Sequence, residues 1–490
     1  MSHTTSLVWF RRDLRVHDNE ALVEACAADN AVPVYCFDPR DYGTRPYGGS
    51  ESFEFRKTGP HRLRFRLESV AALRDALRDH GTDLLVRVGR PEHVVPELAT
   101  AVDADFVTMH TWPTTEELQV ETAVKDALVE AGIDARRYWG HTLTHLDDLP
   151  MDYRDLPDTY TTFRNAVEQG VPMREPLHTP AIPSLPSDAP ESGAIPDPSD
   201  LDPSFSADSE LPAPPAKSVL PFDGGESAAL ERVESYIWDG DHLREYKQTR
   251  NGMLGADYSS KFSPWLNEGC LSPRYVQSEV ERYEDARVKN DSTYWLTFEL
   301  RWRDFFQFQF AKHGGDFFQQ GGIRHRTDID WRDDEAQFER WTAGETGIPF
   351  VDANMRELNE TGYMSNRGRQ NAASFLANNL RLDWRRGAAY FETQLVDYDP
   401  AVNYGNWAYI AGVGNDSRDR YFNINKQAKR YDPDAAYIKH WLPELDALPP
   451  ASARAPWRLT PEERADYGVQ LGVDYPEPMV ELEASYEKLR

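Results

Sequence analysis

The sequence is poor in cysteine, and its three cysteines (Cys26, Cys36 and Cys270) show neither a paired framework nor metal-ligand spacing. That excludes a disulfide-stapled secreted fold and a zinc framework, and it suits a soluble protein of a reducing cytoplasm. No run of about 18 apolar residues occurs, so no membrane span is expected. The opening MSHTTSLVWFRRDLR places its charges after a short apolar patch, the wrong order for a secretory signal. No G-x-G-x-x-G follows the first strand signal, which argues against an ordinary NAD site. Positive charge is also scarce. Lys+Arg total 54 against Asp+Glu 82, a formal net of -28. Whole-chain charge therefore opposes nonspecific nucleic-acid binding, and any such site must be a local basic patch. The acid excess, with lysine low relative to arginine, reads as adaptation to high salt, which stability in low against molar salt would test.

What is present divides into regions. In residues 1–145, strand signals at Leu7–Phe10, Val32–Phe37, Leu84–Val88, Phe106–His110 and Ala135–Tyr138 alternate with helix signals. The helices are read at Asp18–Ala28 (Asp18 as N-cap), Leu63–His80, Pro91–Ala101 and Glu116–Glu130. This alternation predicts a doubly wound parallel-sheet domain. Residues 146–224 are crowded with proline, and no Lys or Arg occurs between Ala181 and Ala216, so an extended, acidic interdomain connector is expected. Residues 225–448 are dominated by helical periodicity, as at Ala373, Leu376 and Leu380, and predict an all-α domain. Residues 449–490 form a polar, acidic tail with one helix near its end.

Three segments of the helical region are too dense in Trp, Arg, Asn and Gly to be packing alone: Tyr246–Arg274, Trp295–Lys312 and Thr346–Asn425. Within them, Asp257–Ser263 is a run of hydroxyls and one Lys ahead of a helix, either a simple N-cap or a phosphate cradle. Asp397 and Asp399 could be metal ligands, an acid/base pair or a structural cap. Among 13 tryptophans, any one is more often core than redox relay. Taken together, YKQTRNGMLGADYSSKFSPWLNEGCLSPR, FELRWRDFFQF, TGIPFVDANMRELNETGYMSNRGRQNAASFL, LDWRRG and DYDPAVNYGNWAYIAGVGND resemble the flavin-binding domain of the photolyase/cryptochrome superfamily, in its DASH cryptochrome branch. WFRRDLRVHDNEAL resembles the opening of that superfamily's α/β domain.

The resemblance implies FAD, and it assigns roles residue by residue. Tyr246, Ser259, Ser260, Phe262, Ser263 and Arg303 would hold the cofactor. Asp397 and Asp399 would contact its two ends, Arg369 would pair with Asp397 beside the flavin ring, and Asn366 would touch the flavin. A cation there favours the reduced, anionic flavin. Asn403 would face flavin N5, the photolyase-like choice at that position. Trp407, Trp384 and Trp331 would be the proximal, middle and distal members of a photoreduction chain.

On the substrate side, Glu299 and Trp302 would line a lesion cavity with Gln370. Tyr409 sits where cyclobutane photolyases carry a second Trp. A smaller ring stacks less on an extruded base, and extrusion costs least from single strands. The resemblance therefore implies blue-light repair of cyclobutane pyrimidine dimers, with UV-damaged single-stranded DNA as the favoured partner. Asn366 and Gln370 stand where (6-4) photolyases carry histidines, and neither amide is a proton donor of that kind. Arg324, Arg326, Arg367, Lys426, Lys429 and Arg430 are phosphate-contact candidates. A methenyltetrahydrofolate antenna is common in the family, and Glu117 in TTEEL, or its neighbour Glu116, matches the carboxylate that grips it. Both are equally first-turn helix acids favoured by the dipole. The competing reading is a blue-light photoreceptor with the tail as its output.

Overall fold

Short β-branched runs between amphipathic stretches build the first part of the chain. In the computed structural model, which describes residues 4–48, 51–205, 211–416 and 421–487, the strands are β1 (Thr5–Phe10), β2 (Asn30–Phe37), β3 (Thr44–Pro46), β4 (Glu54–Arg56), β5 (Leu85–Val88), β6 (Phe106–His110) and β7 (Asp134–Tyr138). Five form one sheet in the order β5-β2-β1-β6-β7, with all neighbours parallel. β3 and β4 make a separate antiparallel pair. β1 is central and buried along its whole length. Its alternation sorts the two faces. Leu7 and Trp9 pack with Leu98, Val124 and Leu128 of the outer helices. Val8 and Phe10 face the other layer with Leu63, Phe65 and Leu73, and that cluster runs on into Trp265, Leu271 and Val276. One apolar core thus spans the sheet and the helical domain.

The first helix starts later than its sequence suggests. Asn19 is the N-cap, its side chain accepting from Leu22 N, and the helix is Glu20–Ala25. Asp18 was expected in that role, but its carboxylate is taken by Arg274 at 2.6 Å and by Leu177 N at 2.8 Å. With both oxygens engaged by Arg274, Ser272 and Leu177, that carboxylate is not available to cap the helix. The Pro-rich segment is largely without regular structure but includes the helices Tyr160–Glu168 and Pro198–Leu201. It runs beside β5, where Ser192 O accepts from Val86 N at 2.7 Å.

The remaining chain is helical. Its core gathers Phe305, Phe308, Trp341, Phe375, Trp384, Phe391 and Trp407 around the helices Asp291–His313, Pro349–Thr361, Trp384–Gln394 and Pro400–Ala411. The two parts are joined closely. Gly269, at φ +75, lies against the Arg12 backbone where a Cβ would collide. Buried Asp304 accepts from Leu143 N and Thr144 N at 2.9 and 2.8 Å. The last segment is more folded than its polarity suggests, with helices at Pro450–Arg454, Pro461–Tyr467 and Leu482–Glu487 and with Tyr475 and Tyr486 buried.

Candidate functional site

One long helix organises the site. Asp291–His313 is capped by Asn290, whose side chain accepts from Ser292 N and Thr293 N. Residues three and four apart on a helix share a face, so Glu299, Trp302, Arg303 and Gln307 form a continuous row. Arg303 reaches Asn267 Oδ1 at 3.4 Å, Leu266 O at 3.3 Å and the carbonyl of His141. It also lies 3.5 Å from Asp399. Gln307 Nε2 donates to both Asp399 oxygens at 3.0 and 2.8 Å. Asp399 in turn caps Pro400–Ala411 by accepting from Val402 N.

Asp397 faces other partners. Arg369 Nη2 donates to its two oxygens at 2.8 and 2.7 Å, and Ser263 Oγ donates at 2.7 Å. Asn267 holds the Asp397 carbonyl. Burial opposes the charge on Arg369, yet the Asp397 carboxylate more than offsets it and raises the guanidinium pKa above its usual value. Asp397 and Asp399 are therefore two separately clamped carboxylates. Arg369 itself remains 24% exposed, so the pair is open on one side. Asn403, one turn into Pro400–Ala411, donates Nδ2 to Ala388 O at 2.9 Å. A carbonyl only accepts, which orients the amide with Oδ1 on the side away from Ala388.

The loop before Ser263–Glu268 is shaped by Arg232. Its guanidinium collects Ser260 O at 3.0 Å, Ser259 O at 3.2 Å, Ala256 O at 3.1 Å and the Asp257 carboxylate at 2.9 Å. The loop carbonyls thus turn toward Arg232. Lys261, at φ +55, points inward to Ala256 O at 2.7 Å and lies 3.3 Å over the Tyr258 ring. Burial pulls its pKa down to about 6. Phe262 and Tyr246 are buried in the core behind the loop. Asn366 opens the Asn366–Ser374 helix and is exposed.

The three tryptophans lie on neighbouring segments. Trp407 is buried, and its ring fills the space above Gly387, where a Cβ would overlap it. Gly387 is one turn from Trp384 on the same helix face. Trp384 is fully buried and donates Nε1 to Gln320 O at 3.0 Å. Next to Trp331, Arg332 N donates to Arg381 O at 2.7 Å, which brings half-buried Trp331 alongside the approach to Trp384.

On the outer side, Trp302 stacks on Tyr160 with ring centroids 3.6 Å apart and 8° between planes. Tyr409 meets it edge-on at 6.2 Å. Glu299 is paired with Arg250 at 2.5 Å and accepts from Trp295 Nε1 at 3.1 Å. Burial raises its pKa above the usual carboxylate range, against the pull of Arg250. Gln370 Oε1 accepts from Arg367 Nη1 at 2.7 Å.

With this geometry in view, the comparisons decide the family. Residues 295–490 match the FAD binding domain of DNA photolyase, and residues 6–184 match the DNA photolyase model. A cryptochrome DASH of Natronomonas pharaonis is 58% identical over 99% of this chain and 100% of its own length. The chain belongs to the photolyase/cryptochrome family. A crystal structure of the Synechocystis sp. PCC6803 cryptochrome, 48% identical, superposes with a TM-score of 0.93 over 100% of this chain and 99% of that one. A bacterial class III photolyase from Agrobacterium tumefaciens, 28% identical, superposes at 0.84 over 100% and 96% of the two chains.

The helical domain is thus the FAD-binding domain of this family, and its residues fit the cofactor. Trp407 Nε1 is buried without a partner, and the Arg369–Asp397 pair is open on one side. These are polar groups of the kind that a sugar, diphosphate and flavin would satisfy. No helix among the described residues is long and apolar enough to cross a membrane.

Between the domains, Glu117 folds back to accept from Thr114 Oγ1 at 2.6 Å and lies 3.5 Å from Arg12. Glu116 instead pairs with Lys57 at 2.8 Å, and Lys57 also reaches Glu392 at 2.5 Å. Of the six cations expected to meet phosphate, Arg324 is tied to Gly412 O and Asp416 O, and Arg326 to Asp328 and Gly412 O. Lys426, Lys429 and Arg430 are exposed. Sequence reasoning passed over Gln307, Arg250 and Tyr160. Gln307 could have been found from its helical spacing to Arg303. Tyr160 carries no local signal, because it comes from the segment read as a connector.

Proposed function

We propose that this protein is a DASH-type photolyase, a light-driven lyase that splits cyclobutane pyrimidine dimers, preferring single-stranded DNA. The observation that carries this reading is the Asp291–His313 row. Glu299 and Trp302 stand at its outer end, and Arg303 and Gln307 hold Asp399 at its inner end. One rigid element sets the distance between this polar–aromatic pair and the Asp399 clamp.

Bound FAD supplies light absorption and the electron. The chain supplies everything around it. Arg369, fixed by Asp397, places a positive charge where negative charge accumulates. Asn403 presents Oδ1, an acceptor suited to an N–H on the flavin, because Nδ2 is turned toward Ala388 O. Ser259, Ser260, Ser263, Phe262 and Tyr246 shape the nucleotide end, and Asn366 borders the ring. Trp407, Trp384 and Trp331 pass an electron inward from the surface. Trp302 has one face covered by Tyr160 and stacks a pyrimidine on the other, a contact worth ~1–3 kcal/mol per base. Glu299, kept protonatable by burial, hydrogen-bonds the dimer edge once Arg250 moves to a phosphate. Tyr409 and Gln370 close the cavity. Across the domain seam, Arg12 Nη1 is buried without a partner next to Glu117, which suits a methenyltetrahydrofolate antenna.

The test is repair of a dimer-containing oligonucleotide by photoreduced protein in high salt, single- and double-stranded, lit and dark. Light-dependent repair concentrated on single strands is expected. Intact photoreduction with no repair of either form would replace this reading with a photoreceptor. In the same assay, Trp384→Phe is expected to keep its flavin and lose most of its photoreduction rate.

A further inference from the structure

The helix Ile424–Tyr431 stands apart in a chain so rich in acid. Its Lys426, Lys429 and Arg430 are exposed, and none has a carboxylate at ion-pair distance among the described residues. Only Ile424 and Ala428 of this helix are buried, and they seat one face of it on the core. Its two ends are tied separately. At the far end, Arg367 lies 4.4 Å over the Tyr431 ring and bonds Gln370, joining the helix to the cavity rim.

The near end is tied by the last residues of the chain. Asn423 caps Lys426 N at 3.0 Å, which leaves the Ile424 amide among the first-turn donors without a helical partner. That amide donates to Tyr486 Oη at 2.8 Å. The Tyr486 ring stacks on Tyr421 at 5.6 Å, and Ser485 Oγ accepts from Asn379 at 2.7 Å. The rest of the segment is anchored independently. Tyr475 bonds buried Asp352, Arg340 holds Glu477 O at 2.9 Å, and Met479 N donates to Thr346 O at 2.9 Å.

We infer that the C-terminal segment is a brace: through the Tyr486 hydroxyl it holds the basic helix Ile424–Tyr431 in the pose that meets the phosphates of a single DNA strand. This rests on the DNA reading above and adds a positioning residue to it. Tyr486 is not among the residues assigned above to flavin or lesion. It acts by completing the N-terminus of the helix that carries the charge. The tail thereby sets nucleic-acid affinity.

The experiment compares full-length wild type, Tyr486→Phe and the triple variant Lys426→Gln/Lys429→Gln/Arg430→Gln. Binding of an undamaged oligothymidine is measured across a salt series, alongside flavin content and photoreduction rate. Tyr486→Phe keeps the ring stack and loses only the hydroxyl. It is expected to weaken binding by about 3- to 10-fold, the worth of one hydrogen bond, with flavin content and photoreduction unchanged. The triple variant should lower the salt slope by about 2, at ~0.7 per phosphate contact. Adding Tyr486→Phe to it should then change nothing further. Wild-type affinity in Tyr486→Phe, or an equal loss when the triple variant is the background, overturns the brace alone. A wild type that does not bind the oligonucleotide overturns the DNA reading and the brace with it.

Discussion

The molecule has two places where its architecture could take a ligand, and they are finished differently. In the α/β domain the strand order reverses between β1 and β6, the point where open parallel sheets usually hold a ligand. Here that crevice is occupied by the chain itself. Arg11 donates to Glu121 at 3.0 Å, to His110 O at 3.0 Å and to Glu117 O at 3.0 Å. Arg137 and Thr111 complete the Glu121 shell at 3.2 and 2.9 Å, and Asp13 holds His110 at 2.8 Å. In the helical domain, by contrast, the charged pair Arg369–Asp397 is formed but left open, with Arg369 24% exposed. Buried polar atoms without a partner occur at both places, His110 Nε2 and Arg12 Nη1 at the first and Trp407 Nε1 at the second. Topology points to the first place. The open ion pair points to the second.

Removing one charge from each place should separate them most strongly. Arg369→Ala strands Asp397, which is 3% exposed, and loss of one partner of a buried pair costs about 3–5 kcal/mol. The variant should emerge without flavin, read from the ratio of visible to ultraviolet absorbance. Glu121→Gln removes the counter-charge of Arg11, which is 9% exposed, where the acid is 1% exposed. It should lower urea stability by a comparable amount while each folded molecule keeps its flavin. Flavin loss in Glu121→Gln would mean that the crevice belongs to the functional site after all.

Much of this contrast was legible in the sequence, and the rest was hidden for identifiable reasons. The helix Pro91–Ala101 and the strand Phe106–His110 fall where periodicity and proline placed them. Asp18 misled because its local signature, an acid before an amphipathic stretch, cannot reveal a partner as distant as Arg274. Trp302 was visible in FELRWRD, whereas Tyr160 beneath it comes from a stretch whose composition reads as linker. The filling of the crevice was equally hidden, since Arg11 and Glu121 are 110 residues apart. The tail looked loose because its few apolar residues are scattered, yet Tyr475 and Tyr486 each reach a polar partner in the helical domain.

The joint between the two regions gives an effect of middle size. Burial raises the Asp304 pKa from 3.8 to about 6, against the two amides of Leu143 and Thr144 that favour its ionised form. A carboxyl whose pKa is higher in the folded state stabilises most when protonated. Its contribution is full below about pH 4 and is lost as pH rises through about 6. In Asp304→Asn that loss disappears. Unfolding free energies measured from pH 4 to 7 should therefore fall by up to about 3 kcal/mol more in wild type than in the variant. A pH-independent difference would mean that Asp304 stays ionised, with its amides outweighing burial.

The smallest expected effect lies inside the open site, and it is a gain. Tyr409 meets Trp302 edge-on at 6.2 Å on the side proposed to take the lesion. Tyr409→Trp widens the aromatic surface there, and about 1 kcal/mol of added stacking is about fivefold in affinity. The gain should appear mainly on duplex substrate. A dimer in a duplex must be unpaired and unstacked before it enters the cavity, at a cost of a few kcal/mol that single strands largely avoid. Added stacking offsets that cost directly, so the ratio of single- to double-strand repair should fall while flavin content and photoreduction stay as they are. An unchanged ratio would show that Tyr409 only packs against Trp302. Strand preference would then have to reside in how the backbone is held, and the helix Ile424–Tyr431 would be the place to look.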